Sequence, residues 1–393
     1  MKDFDFIIVG GRCAGASLAF FLGKYGYNVL LIDRYSKPGP IISTHIIGET
    51  DVYERLGIKN KMENAGAPLI NRMRIDFEGN IFESDIAVTP RVIGLRRELL
   101  DSYLLEAANE QKSVTIKLET KVVDIISKDN KVIGVTCMDR KGNQHRYYAQ
   151  TIIGADGRDS VIASKVNAEV IESTEDNHHG VYFVYVTNLD PLSLPAVEWY
   201  WHKDRIVICN PIDRSMHCIA LMIPQNETKL FNKDIPKNFH DSLHDIKTFS
   251  QRAKNIEFFK KPRGISRLKS HIKQSYGEGW ALVGDAAVHL HPVSGTGIDN
   301  AVCTAEYLAT ELNHYMQKSK SWSEAMVDYV KIRDERVYPQ YYTSINTLSR
   351  TREELSEENK STLSMLCTFP SFVKSIGTKA NEVINLLSEE SNE

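Results

Sequence analysis

Hydrophobic positions at the start of the chain come in unbroken runs rather than in alternation. Phe4-Asp5-Phe6-Ile7-Ile8-Val9 is β-rich and has no helical period, and Gly10 and Gly11 break it. Residues 14–25 then predict a helix with small residues on one side, closed by Gly26. Residues 28–32 form a second apolar run ending on Asp33. Strands apolar on both faces belong in a parallel sheet covered by helices, so the opening reads as a βαβ unit. Residues 97–111 set Leu100, Tyr103, Leu104 and Ala107 at helical spacing. Short strands are expected at 114–118, 122–127 and 132–139. Thr151-Ile152-Ile153-Gly154 is another buried run, turning at Ala155-Asp156-Gly157.

From about 178 to 224 the pattern changes. Segments 181–187, 196–202, 205–210 and 216–223 are β-like and separated by turn residues, as in a largely antiparallel sheet. A Lys-rich, more helical stretch follows to about residue 261. Trp280-Ala281-Leu282-Val283 returns to the buried parallel type, and a long helix is expected from near Gly297. The remainder reads as mostly helical, with a break at Tyr338-Pro339-Gln340, because a proline inside a helix removes a hydrogen bond and clashes with the preceding turn. The expected fold is α/β. A discontinuous Rossmann-like nucleotide-binding domain takes residues 1–75, 95–175 and 275–320. An inserted, mostly antiparallel β-sheet domain takes 76–94 and 176–274, and a helical C-terminal region takes 321–393.

Composition narrows the function classes. A chain of 393 residues is long enough for more than one structural unit. A net charge of -3 and no long basic run give no reason to expect nucleic acid as a partner. No apolar segment reaches the roughly 20 residues of a membrane span. The six cysteines form no C-x-x-C pair, which argues against a zinc site or a disulfide scaffold and suits a reducing cytoplasm. No metal is expected.

Three turns carry the candidate chemistry. Gly10-Gly11-Arg12-Cys13-Ala14-Gly15 lies between a strand and a helix, with Asp33 closing the next strand. Gly10 permits the tight turn and Gly15 lets the helix pack on the strand. The helix start offers N–H groups to a pyrophosphate, and Asp33 can accept from ribose hydroxyls. Arg12 stands where a second glycine is usual, so it must hold a negative φ and turn its side chain away. The second turn is Asp156-Gly157. The third is Gly284-Asp285, followed by Pro292 and by Gly295-Thr296-Gly297-Ile298 at a helix start. A helix start stabilises negative charge placed against it.

Together these motifs resemble the group A flavoprotein monooxygenases, the superfamily of aromatic hydroxylases, in pieces from residue 5 to about 310. The resemblance implies FAD bound along its length, so the Rossmann-like domain would be FAD-binding. Gly10, Gly11, Arg12, Cys13, Ala14, Gly15, Asp33 and Arg34 would hold its ADP part. Arg97 would lie near the adenosine and pyrophosphate and Val122 by the adenine. Asp156 and Gly157 match the family's Asp-Gly motif. Gly284 and Asp285 would hold the ribityl chain, and Pro292, Gly295, Thr296, Gly297 and Ile298 would face the ring. It further implies NADH or NADPH as a transient hydride donor and O2 as co-substrate, with oxygen delivered by a flavin C4a-hydroperoxide to a small organic molecule.

In the antiparallel region Trp199 and Trp201 share a strand face, and Tyr182, Phe183 and Tyr185 occupy a neighbouring strand. An aromatic wall suits a flat apolar substrate, so Tyr182, Trp199 and Trp201 are the substrate candidates. His289, His291 and His45 are the candidates for proton handling. A monomer or a homodimer is equally compatible. An alkene reductase of the geranylgeranyl type is the alternative. A flavin-dependent halogenase resembles the chain less, since Trp199-Tyr200-Trp201 runs into His202-Lys203 and no lysine occurs between Lys61 and Lys112. A non-catalytic flavin-binding protein is a further alternative.

Overall fold

The computed structural model describes residues 3–48, 51–86, 92–174, 179–350 and 356. The expectations for 351–355 and 357–393 lie outside the described residues. The opening run forms β1 (Phe4–Val9), then α1 (Cys13–Lys24) and β2 (Val29–Ile32). β3 (Ile46–Gly48), β4 (Arg72–Phe77) and β5 (Val92–Gly94) lead to α2 (Arg97–Asn109). β6 (Val114–Lys117) follows, then a hairpin and the long β7 (Gln144–Gly154). The second half contains β8 (His179–Thr187), β9 (Ala196–His202), β10 (Arg205–Ile212) and β11 (Met216–Pro224). It closes with β12 (Trp280–Leu282), α3 (Gly297–Met316) and α4 (Trp322–Arg350).

β12, β7, β1, β2 and β6 lie side by side in that order, all parallel. Residues 6–9 of β1, 151–154 of β7, and all of β2 and β12 are buried, with α1, α2 and α3 packed on one face and Val122, Val132 and Val135 of the hairpin on the other. Val9 pairs with Gly154 and with Ile32, and Gly154 pairs with Leu282. The carboxyl ends of four strands are therefore flush, and the turns that follow them emerge along one edge. Open parallel sheets bind ligands at that edge. α1 is buried on all sides, with Ala16, Leu18, Ala19 and Leu22 in one core with Val302, Ala305 and Leu308 of α3 and Leu100 and Leu104 of α2. A helix enclosed this way needs no polar stripe.

β8, β11, β10, β9 and β4 form the body of a second, eight-stranded sheet, antiparallel except between β9 and β4. Alternation gives it two faces. One face carries Tyr182, Val184, Tyr200, Val207 and Leu221 and packs under Phe231, Phe239 and Phe249. The other carries Val181, Ile206, Ile208, Ala220, Met222, Trp199 and Trp201. It meets Ile46 of β3 and Val293, both from the parallel-sheet half.

The expected break at Pro339 does not occur: α4 runs through it to Arg350. Tertiary contacts on both sides hold the helix. Tyr329 Oη donates to Leu282 O at 2.9 Å, Arg336 Nε donates to Asn300 Oδ1 at 2.9 Å, and Asn300 Nδ2 donates to Gln340 Oε1 at 2.6 Å. Val337 and Tyr341 are buried in the core beside Leu282 and Ala286. Packing outweighs the hydrogen bond that proline removes. No described helix is long and apolar enough to cross a membrane.

Candidate functional site

The first turn needs its glycines. Gly10 has φ +106°, and a Cβ there would lie 2.4 Å from the carbonyl oxygen of Ala155. A Cβ on Gly15 would lie 1.8 Å from the carbonyl oxygen of Gly10. The α1 start has no side-chain cap and no acidic residue in its first turn, so its leading N–H groups are open to an anion. Asp33 accepts from Gly11 N at 2.7 Å and from Tyr35 N at 2.8 Å. Arg12 keeps φ at -97° and turns its side chain away, donating to Asp101 Oδ2 and Gly39 O, each at 3.1 Å.

Asp101, one helical turn after Arg97 on α2, ties this corner together. It receives Arg97 Nη2 at 2.9 Å, Arg12 Nη1 at 3.1 Å and Cys13 Sγ at 3.0 Å. Burial raises the Cys13 thiol well above its usual pKa, so it is a neutral packing group. Arg97 is 9% exposed, and its Nε has no partner among the described residues. Burial works against the Arg97 charge and Asp101 for it; the net effect raises its pKa. A buried guanidinium with an orphaned N–H beside an open helix start is a fitting donor set for a phosphate. Arg34 is exposed and lies over the Tyr35 ring, while Val122 is buried beneath this edge. An open groove of about 240 Å³ is lined by Gly11, Arg12, Asp33 and Tyr35.

The second turn touches the first, since Asp156 Cα would be 2.9 Å from a Cβ on Gly10. The Asp156 carboxylate is engaged, accepting from Ser160 Oγ at 2.5 Å and Val161 N at 2.6 Å, and Ser160 in turn caps the helix Val161–Lys165 by accepting Ala163 N at 3.0 Å. Gly157 has φ +81° and faces open space. The third turn also reaches the first: a Cβ on Gly284, at φ +61°, would meet Ala14 Cβ at 2.8 Å. Asp285 is half-buried, and its charge acts on Arg97. A second groove of about 280 Å³ is lined by Gly284, Asp285, Gly297, Asn300 and Arg333. Arg333, from α4, was not singled out by sequence; nothing in its helical surroundings marks it.

Pro292 opens a short 3-10 turn, Gly295 takes φ +67°, and α3 starts at Gly297 with no side-chain cap after Thr296. Ile298 is buried in the core against α1. Asp299 is buried and accepts from Gly48 N at 2.7 Å and Tyr53 Oη at 2.6 Å, which fastens β3 to the α3 start. Burial pushes its carboxyl up to about 6. Ile46 of β3 lies 4.0 Å from the place a Gly295 Cβ would take.

The histidines separate. His289 is buried, with Nδ1 against Lys269 O at 2.8 Å. His291 accepts Val293 N–H at Nδ1, leaving Nε2 buried without a partner among the described residues. Burial holds it neutral, far below its usual pKa. His45, fully buried, sits at the other end of β3, against Tyr185. Among the described residues no three His, Cys, Asp or Glu side chains cluster as a metal site.

The sheet face toward Ile46 and Val293 bears an aromatic ladder. Trp199 stacks on Trp201 at 5.5 Å and Trp201 on Phe77 at 4.7 Å. Tyr182 is not part of it. It lies on the opposite face, against the Phe231 ring and donating to Asn232 at 2.7 Å. Its neighbours Phe183 and Tyr185 take the inner face instead, with Ile42. All of 179–186 is buried, so no polar residue marks which side faces in.

The described geometry can be set beside known proteins. The family model described as FAD binding domain matches residues 3–337. The digeranylgeranylglycerophospholipid reductase of Thermoplasma volcanium is 22% identical, over 99% of this chain and all of that protein. Among solved structures, p-nitrophenol 4-monooxygenase from Pseudomonas putida has a TM-score of 0.80 at 16% identity, covering 98% of this chain and 99% of its own. A myxobacterial chondrochloren halogenase also has a TM-score of 0.80, at 18% identity, covering 97% of this chain and 91% of its own. At these identities the structural likeness speaks for the fold, and the family match, spanning most of the chain, speaks for the cofactor. The chain belongs to the FAD-binding domain family and is an FAD-dependent oxidoreductase.

Proposed function

We propose that the chain is a monooxygenase that uses NADH or NADPH and O2 to oxygenate a small, flat, largely apolar organic molecule, aromatic or polycyclic. The observation that carries this reading is the meeting of three glycine turns along one sheet edge beside an apolar face bearing stacked tryptophans. Residues 1–75, 95–175 and 275–320 would hold the cofactor, 76–94 and 176–274 would cover the substrate, and the helical region from 321 would brace both.

In this reading the α1 start, with Gly10, Gly11, Arg12, Cys13, Ala14, Gly15 and Arg97, takes the pyrophosphate. Asp33 takes the ribose, and Arg34 and Val122 flank the adenine. Asp156 and Gly157 shape the edge, and Gly284 and Asp285 take the ribityl chain. Pro292, Gly295, Thr296, Gly297 and Ile298 face the ring, whose negative charge on reduction the α3 start stabilises. FAD supplies hydride acceptance and oxygen activation when bound. The chain orients the reactants and excludes water. Trp199 and Trp201 form the substrate wall. His291 Nε2–H is free to donate to a bound acceptor, and His289 steadies the strand before it.

The full-length match to a reductase of isoprenoid lipids favours alkene reduction as the second reading. Purified protein is expected to carry FAD and to oxidise NADH or NADPH faster when an aromatic substrate is added, only with O2 present. Oxygen-independent reduction of an isoprenoid double bond would replace the first reading with the second.

A further inference from the structure

We propose that the side-chain amide of Asn210 receives the one polar substituent of an otherwise flat, apolar substrate, a neutral group that both donates and accepts hydrogen bonds. This rests on the reading of the inner sheet face as the substrate wall. Asn210 stands on β10 between Ile208 and Ile212, and alternation turns all three to that face. It is fully buried, yet neither Oδ1 nor Nδ2 has a hydrogen-bond partner among the described residues. An amide brings an accepting oxygen and two N–H donors. Leaving them buried and unpaired is costly, so a group in this state calls for a partner that arrives from outside.

The register of the sheet says where that partner lies. Inner-facing residues cross the strands in rows. Phe183, Ala220, Ile208 and Trp199 form one row. Tyr185, Cys218 and Asn210 form the next, two residues further along each strand, or about 7 Å away. Ala220 has the smallest side chain of the first row, so a flat ring seated over it would be flanked by Phe183 and Trp199. Asn210 is diagonal to Ala220, within reach of a substituent on that ring. Its row neighbours are already engaged. Tyr185 Oη lies 2.7 Å from His45 Nε2, and Cys218 Sγ lies 3.3 Å from His45 Nδ1. Of the three, Asn210 is left to meet a ligand.

The other side of the amide faces β5. A Cβ on Gly94 would lie 2.9 Å from Asn210 Nδ2, so glycine there keeps the approach thin. Gly94 pairs with Ile46 of β3, beside the Gly295 turn. Asn210 is thus linked through two short strands to the turn assigned to the flavin ring. Charge decides the kind of substituent. Arg96, just beyond Gly94, is paired with Asp213, just beyond Asn210. An ionised substituent would be buried with that cation already spoken for, whereas a phenolic hydroxyl or a carboxamide matches the amide without a counter-charge.

The test titrates the full, flavin-loaded chain with p-cresol and with p-xylene, which differ by a hydroxyl in place of a methyl, and follows the change in flavin absorbance. The wild type is expected to bind p-cresol about tenfold more tightly. Asn210→Leu should abolish that preference by weakening p-cresol alone, with flavin content unchanged. It should also raise the melting temperature, since an apolar side chain of similar size replaces an unpaired amide. Asn210→Ala, which adds no bulk, should lose the preference in the same way. Equal affinity for the two probes in the wild type, binding of neither, or a preference that survives both substitutions would overturn the proposal. A preference that depends on Asn210, in protein that never couples NADH or NADPH oxidation to oxygenation, would leave the role of the amide standing and sink the monooxygenase reading.

Discussion

Asp299 shows how much a single residue carries. Its carboxyl, raised by burial to about 6, closes the contact between β3 and α3 through Gly48 and Tyr53. An exposed aspartate titrates near 3.8. Between those values the folded protein binds the extra proton, so stability falls as pH rises through the window. Asp299→Asn is neutral throughout, and the Tyr53 hydroxyl can turn to accept from its amide. The variant is expected to gain on the order of 1–3 kcal/mol over wild type above pH 6 and to lose that advantage near pH 4. Thermal melts at the two pH values check this; a gap that does not change with pH would contradict it. Gly10→Ala makes a different demand. It sets a Cβ against the Ala155 carbonyl at a strained φ. Its flavin content is expected to drop about tenfold or more. Wild-type flavin absorbance in that variant would argue that the turn holds no phosphate.

Among the elements, α4 departs most from what its sequence suggests. Pro339 is tolerated because contacts at Tyr329, Arg336 and Gln340 fix the helix on both sides. Pro339→Ala restores a backbone donor where the helix already runs and is expected to stabilise by about 1–3 kcal/mol. A lowered melting temperature would instead mean that the proline sets the position of Gln340 and Tyr341. The βαβ opening and the three turns were legible because their demands are local: apolar runs, glycines and a closing aspartate. The partners that complete the site were not. Gly48 meets Asp299 and His45 meets Tyr185 across long stretches of chain, and no spacing rule links them. The orientation of β8 was also hidden. Alternation puts Tyr182 and Tyr185 on opposite faces, but a strand buried on both faces carries no mark of which face turns inward, and only packing shows that it is Tyr185.

For the whole molecule, the two sheets divide the labour. The parallel sheet ends in turns suited to a dinucleotide, and the inner face of the other carries the Trp199–Trp201–Phe77 ladder. Trp199→Ala and Trp201→Ala are expected to raise the substrate KM about tenfold while flavin content stays at the wild-type level, since stacked aromatics contribute through apolar area. Loss of flavin together with substrate response would show that the ladder serves the fold rather than the substrate.

The flush strand ends at Val9, Gly154 and Leu282 have a temporal consequence. A ribosome releases the first of these long before the last. With the cofactor held as proposed, a nascent chain cannot grip its nucleotide until β12 has slid in beside β7. Any translation product stopped short of Gly284 should therefore emerge colourless, however well its opening βαβ unit folds.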